Sequence, residues 1–184
     1  MSFPTLETPR LRLRELTLDD APALLAIHGD GPAMRHFGTD PLTTLAEAED
    51  LVRRFAAWRQ QPHPGVRWGL ERRADGALVG SCGLFAWNRE WAKCSTGYEL
   101  ARTARGQGLM REALRAAFDW GFAQMGLHRI EAQIHPDNAP SLALAEGLGF
   151  VREGRLREVG FWGGQRHDLW QLGLLRGDWP PRQD

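Results

Sequence analysis

The stretch ARGQGLMREAL, Ala104–Leu114, sets Gly106 and Gly108 one residue apart directly before a helix-like run. Glycine reaches left-handed backbone conformations at no steric cost and lets a ligand approach the main chain closely. A helix start adds unpaired N–H groups and a partial positive charge. Together these features describe a cradle for a phosphate or pyrophosphate. The spacing alone describes equally well a glycine-containing turn before an ordinary helix. Two rival readings lack their residues. A dinucleotide fingerprint needs a third glycine where Arg111 stands, and an NTPase phosphate loop needs Gly-Lys-Ser/Thr, with no lysine near.

Working outward, the pattern predicts a helix from about Gln107 to Met125, with Leu109, Ala113, Ala117 and Trp120 along one face. KCSTGYEL, ending at Leu100, reads as the strand that feeds the loop. Upstream of it, VRWGLERR and LVGSCGLFAW flank ADGA as a hairpin. RLRLREL (Arg10–Leu16) alternates as a half-buried strand does. TLDDAPALLAIHG and Thr43–Gln61 read as helices, the second clearly amphipathic. Downstream come a strand over His128–His135, a short helix in NAPSLALAEGLGF running into a strand, and a last hairpin in FWGGQRHDLWQLGLL. The order β-α-α-β-β-β-α-β-α-β-β predicts an α/β (α+β) fold: a mixed, mostly antiparallel sheet of about seven strands, with helices on both faces and one β-α-β crossover. The 184 residues suit a single domain spanning about 8–178, and PPRQD reads as a loose tail.

Composition narrows the partners. Lys+Arg and Asp+Glu both total 23, so there is no net charge to draw the chain to nucleic acid or to an anionic membrane. No apolar stretch is long enough to span a bilayer, and the first residues lack the apolar centre of a signal peptide; the expected location is cytoplasmic. Cys82 and Cys94 have neither metal-ligand spacing nor the density of a disulfide framework, and read as reduced packing residues. No metal site is expected. Tyr98 is the single tyrosine.

The order and spacing of TPRLRLRELTLDDA, GSCGL, GYEL, RGQG, HRIEAQIHPDNAPS, EGLGF and HDLWQLGLL resemble the GCN5-related N-acetyltransferases (GNAT) over nearly the whole chain. The likeness is closest to the branch that acetylates ribosomal-protein N-termini. It implies acetyl-CoA as donor and an amine as acceptor: a peptide or protein N-terminus, or a small amine such as a polyamine or an antibiotic. A catalytically weak acyl-CoA-binding module is the reading from another class. The resemblance assigns the CoA pyrophosphate to Arg105, Gly106, Gln107, Gly108, Leu109 and Met110. Thr103 departs from the Gln or Arg usual at the first loop position. Leu100 and Ala101 at the strand end would face the thioester and pantetheine arm, and Asn138 would contact the CoA arm or cap the following helix.

Within the same resemblance, Glu99 is the candidate base or amine-orienting carboxylate, and Ser141 the candidate proton donor to the thiolate. Many relatives carry an acid tyrosine seven residues after the asparagine; here that residue is Ala145. Tyr98 is the runner-up acid, although strand alternation points it away from the Glu99 face and toward a packing role. His167 and Asp168 would shape the acceptor pocket or hold the last hairpin, and Trp87, with Trp91 and Trp162, would line an acceptor groove. His128 and His135 read as structural. An exposed strand edge would allow a homodimer.

Overall fold

The computed structural model describes residues 3–179; the tail PPRQD lies outside the described residues. Eight strands form one sheet: β1 (Leu6–Glu7), β2 (Leu11–Glu15), β3 (Val66–Arg72), β4 (Leu78–Asn88), β5 (Lys93–Leu100), β6 (Arg129–Ile134), β7 (Val151–Trp162) and β8 (Gln165–Leu175). Five helices accompany them: α1 (Ala21–His28), α2 (Gly31–Met34), α3 (Leu45–Ala57), α4 (Leu109–Gln124) and α5 (Ala139–Glu146). The strands lie in the order β1-β2-β3-β4-β5-β6-β8-β7. All pairings are antiparallel except β5 with β6. The added strand β1 is two residues long, too short for any alternation to show, and forms because Leu6 and Glu7 pair with Leu13 and Arg12.

Alternation on β3 divides the molecule into two layers. Trp68 and Leu70 point into the main core beneath α4 and α5, while Arg67 and Gly69 face α1 and α3. On the first side α4 presents Leu109, Ala113, Leu114, Ala117 and Phe118, all buried at helical spacing. Gly121 lets it settle on β4: a Cβ there would lie 2.6 Å from a methyl of Leu84. On the other side Leu16, Ala21, Leu24, Ala48 and Val52 form a smaller core between α1, α3 and the sheet. α3 begins with a reciprocal cap in which Thr44 and Glu47 satisfy each other's main-chain N–H.

Cys82 and Cys94 are buried free thiols, and burial pushes Cys82 up to about 12. They are packing residues. No helix of the described residues is long and apolar enough to cross a membrane.

Candidate active site

The site is built where the single parallel pairing ends. β5 and β6 are in register only over Lys93–Ser95 and Arg129–Glu131. Beyond Ser95 the strands part, because β6 continues against β8 while β5 continues against β4. Successive residues of β5 then face opposite layers. Tyr98 points to the α5 side and Glu99 to the α1 side, so their groups approach the gap from its two faces.

On the α5 side, the Tyr98 hydroxyl lies 2.9 Å from Ser141 Oγ. Ser141 sits in the first turn of α5, and its N–H donates to Asn138 Oδ1 at 3.3 Å, so Asn138 is the helix cap. Burial raises the Tyr98 phenol above its ordinary range, and the bond to Ser141 only partly offsets this. Tyr98 is therefore more than a packing residue: it holds the one hydroxyl of α5 that faces the gap.

The loop after β5 is braced from three directions. Arg102 donates to both oxygens of Asp30 at 2.9 and 2.6 Å. Arg10 donates to the Gln107 carbonyl at 2.8 Å and to Glu112 at 2.6 Å. Arg105, a candidate phosphate ligand by sequence, donates to the Leu100 carbonyl at 3.1 Å and to Ala33 O at 3.4 Å. Its Nε and Nη2 thus brace the strand end while the residue stays exposed. Gly106 and Gly108 adopt φ of +73° and +75°, and the space around Gly106 is open. Gly108 is the residue before α4, and the first helical donor bonded back is Glu112 N to Gly108 O at 3.1 Å. The N–H groups of Leu109, Met110 and Arg111 precede the first closed turn and have no acceptor among the described residues.

On the α1 side a cavity of about 640 Å³ opens against the gap. Phe37, Phe55, Trp58 and Phe85 form its aromatic part, and Asp40, Arg54, Glu131, Gln133 and Gln171 bring polar groups to the rest. Glu99 lies behind it, buried, and every oxygen of its carboxylate is engaged. Arg67 Nη2 and Ser81 Oγ donate to it in short hydrogen bonds, and His28 Nε2 lies 3.3 Å from Oε1. Arg67 also donates to Ser81 Oγ at 2.8 Å and to the Gly97 carbonyl at 3.0 Å. Burial pushes the Glu99 carboxyl up, but the charge of Arg67 and the bonds from His28 and Ser81 outweigh it, leaving the group below its ordinary value. Glu99 is a held anion.

The sequence-derived acceptor residues stand elsewhere. Trp87 does not line the cavity; Ala86 takes φ +53° at a bulge in β4, which turns Phe85 into the cavity and Trp87 onto the main core beneath Arg89. His167 and Asp168 lie in a smaller cleft of about 360 Å³ with His135 and Arg155. His167 stacks on Trp162 at 3.8 Å, and Asp168 accepts from Arg155 at 2.7 Å and from the Glu158 N–H at 2.8 Å. Glu158 has φ +53°, so Asp168 fixes a bulge in β7. Trp91 is exposed, and Trp162 donates to Arg35 O at 2.9 Å. The sequence reading missed His28, Arg67 and Ser81. Only GSCGL and a helix-ending histidine hinted at them, and neither is a pattern for such a cluster.

A family model described as an acetyltransferase (GNAT) domain matches residues 10–151. The chain is 34% identical over 166 residues to the uncharacterized N-acetyltransferase YoaA of Bacillus subtilis (strain 168), covering 90% of this chain and 93% of that protein. It is 36% identical over 88 residues to the [ribosomal protein uS5]-alanine N-acetyltransferase of Escherichia coli (strain K12), covering 48% of this chain and 45% of that one. Its fold matches that of spermidine N-acetyltransferase from Vibrio cholerae, solved with CoA and spermine, with a TM-score of 0.79 at 23% identity over 93% of this chain and 98% of the other. The chain belongs to the GNAT acetyltransferase family. It is an N-acetyltransferase, and its acyl donor is acetyl-CoA.

Proposed function

We propose that this enzyme acetylates a free α-amino group at the N-terminus of a peptide or protein, with acetyl-CoA as donor. The charge balance of the cavity carries this reading. Of its carboxylates, Glu131 receives Lys93 at 3.3 Å and Arg129 at 2.8 Å. Asp40 accepts the Gly163 N–H at 2.7 Å, and Glu99 behind the wall is neutralised by Arg67. A polyamine would bring several positive charges to a cavity that already carries the cations Arg54 and Arg67. A single α-amine brings one charge, and the side chain next to it could rest on Phe37, Phe55, Trp58 and Phe85.

The chemistry of the amine agrees. An α-amino group has an ordinary pKa near 7.7–8.0 and a lysine near 10.4, so at pH 7 about a tenth or more of the former is neutral, against less than about a thousandth of the latter. A site whose carboxylate is held as an anion by Arg67 gains from an acceptor that loses its proton readily. The named activity of the uS5-alanine N-acetyltransferase supports the same class of acceptor.

The residues at the gap fit the donor. The unpaired N–H groups at the start of α4, with the open, left-handed Gly106 and Gly108 before them, suit a pyrophosphate. The free edge of β5 beyond Ser95 suits an amide-bearing arm, and the Leu100–Ala101 main chain lies where that edge ends. Acetyl-CoA supplies the activated acetyl group as a thioester. Ser141, tied to Tyr98, is placed to protonate the departing sulfur, and Tyr98 orients its hydroxyl. The test is a competition among a peptide with a free α-amine, the same peptide blocked at that amine, and spermidine. The reading expects turnover of the first alone; equal turnover of the blocked peptide or faster turnover of spermidine would overturn it.

A further inference from the structure

The geometry points to His28 as the residue that takes the proton from the acceptor amine, with Glu99 as the positioning residue that fixes its ring. This rests on the α-amine reading only in the choice of amine.

The tautomer follows from the hydrogen bonds. Ser81 Oγ accepts from Arg67 Nε at 2.8 Å, so its own hydrogen is directed to Glu99. The Glu99 carboxylate, held as an anion by Arg67, can only accept. His28 Nε2, 3.3 Å from Glu99 Oε1, must therefore carry the hydrogen of the neutral ring. In the neutral ring that leaves Nδ1 with its lone pair free, and no hydrogen bond to Nδ1 is seen among the described residues. The ring lines the cavity at the last residue of α1 and is set edge-on to Phe37 at 5.3 Å, which restricts its rotation.

The other charged groups facing this space are poor rivals. Arg54 and Arg67 are permanent cations, and Asp40 and Glu131 are partnered as described. Glu99 itself is closed off from the cavity by its three donors. Imidazole is the side chain whose ordinary titration falls between pH 5 and 8, the range in which an α-ammonium must be deprotonated. A ring held between a carboxylate and a reacting group is the arrangement by which histidine acts as a general base elsewhere.

The atoms balance as follows. An acceptor R–NH3⁺ loses one proton to His28 Nδ1, and the imidazolium formed is stabilised by Glu99. The freed nitrogen lone pair forms the C–N bond to the acetyl carbon, and the C–S bond breaks with its electron pair on sulfur. The second nitrogen proton goes to solvent, while sulfur takes the proton of Ser141 Oγ and Ser141 is reprotonated from solvent. His28 returns its proton to solvent, giving the amide, the thiol and one released proton.

The experiment is a pH–rate profile of His28→Gln, which can still donate to Glu99 but has no titrating nitrogen. With the best amine the wild type accepts, kcat/KM should fall by about 10²–10³-fold at pH 7. The acidic limb of the profile should disappear, with the Kd for acetyl-CoA within about twofold of wild type. In His28→Ala, added imidazole should restore part of the rate. Ring ¹⁵N NMR of the unliganded wild type reads the same point without any acceptor: the neutral form of His28 should show a protonated Nε2 and a bare Nδ1. A His28→Gln enzyme that keeps the acidic limb, or a neutral wild-type ring protonated at Nδ1, would overturn the assignment. A wild type that prefers lysine or spermidine would overturn the α-amine reading alone, and His28 would then be judged on that amine by the same profile.

Discussion

Replacing Arg67 with Met keeps the unbranched stem of the side chain but removes the charge that makes a buried glutamate tolerable. Glu99 is 5% exposed and Arg67 equally so, and the pair is locked to Ser81, Gly97 and His28. Breaking a buried pair by removing one partner costs about 3–5 kcal/mol, because an uncompensated charge is left behind. For a chain of this size that is a fall in Tm of roughly 6–20 °C, at about 2–4 °C per kcal/mol. Adding Glu99→Gln should recover more than half of the loss, since replacing a whole buried pair is far less costly than halving it. The pH dependence separates this from simple loss of packing. In the wild type the Glu99 carboxyl lies below its ordinary 4.5, so its contribution is complete above that value and is lost as pH falls through the lowered one. In Arg67→Met, burial is opposed only by the bonds from His28 and Ser81, so the carboxyl rises from its wild-type value, the protonated form gains and the defect should shrink between pH 7 and pH 5. Urea unfolding at both pH values measures this. A loss under about 1 kcal/mol, or a double variant less stable than the single one, would refute the reasoning.

Other expectations follow from the same contacts. Ser141→Ala should lower kcat by about 10–100-fold while leaving the Kd for acetyl-CoA by calorimetry unchanged, and Tyr98→Phe should cost less because Ser141 remains. Gly106→Asp, placed at φ +73° beside unpaired N–H groups, should abolish acetyl-CoA binding by both strain and charge; binding retained within threefold would move the pyrophosphate off this loop. His36 stacks on His135 at 4.3 Å, and burial lowers both below the ordinary imidazole value. The neutral rings are favoured in the fold, so stability present above about pH 6.5 should fall as pH drops through the lowered values. A thermal melt of His135→Asn should lose part of that pH dependence.

What the sequence displayed was whatever depends on near neighbours. The glycines at 106 and 108, the helical face of Leu109, Ala113, Ala117 and Trp120 and the alternation of RLRLREL are local patterns, and each produced the element it predicts. The face of Tyr98 relative to Glu99 also followed from alternation alone. Two short elements, β1 and α2, are too brief to carry a period. Trp87 was misplaced because one left-handed residue, Ala86, reverses the faces after it, and nothing in an alanine announces that conformation. The carbonyl acceptors of Arg105 appear only once the loop folds back over Leu100. The Glu99 cluster was hidden for a different reason. His28, Arg67 and Ser81 lie 71, 32 and 18 residues from Glu99 in the chain and come from three other elements. Only the sheet register, which sets Ser81 opposite Glu99, brings them together.

The most direct test of the account is mass spectrometry of one peptide that carries both a free α-amine and an internal lysine, incubated at pH 7 with enzyme and acetyl-CoA. The cations Arg54 and Arg67 at the cavity and the ease of deprotonating an α-amine predict a single acetyl group on the N-terminal nitrogen. Acetylation of the lysine at a comparable rate would contradict it.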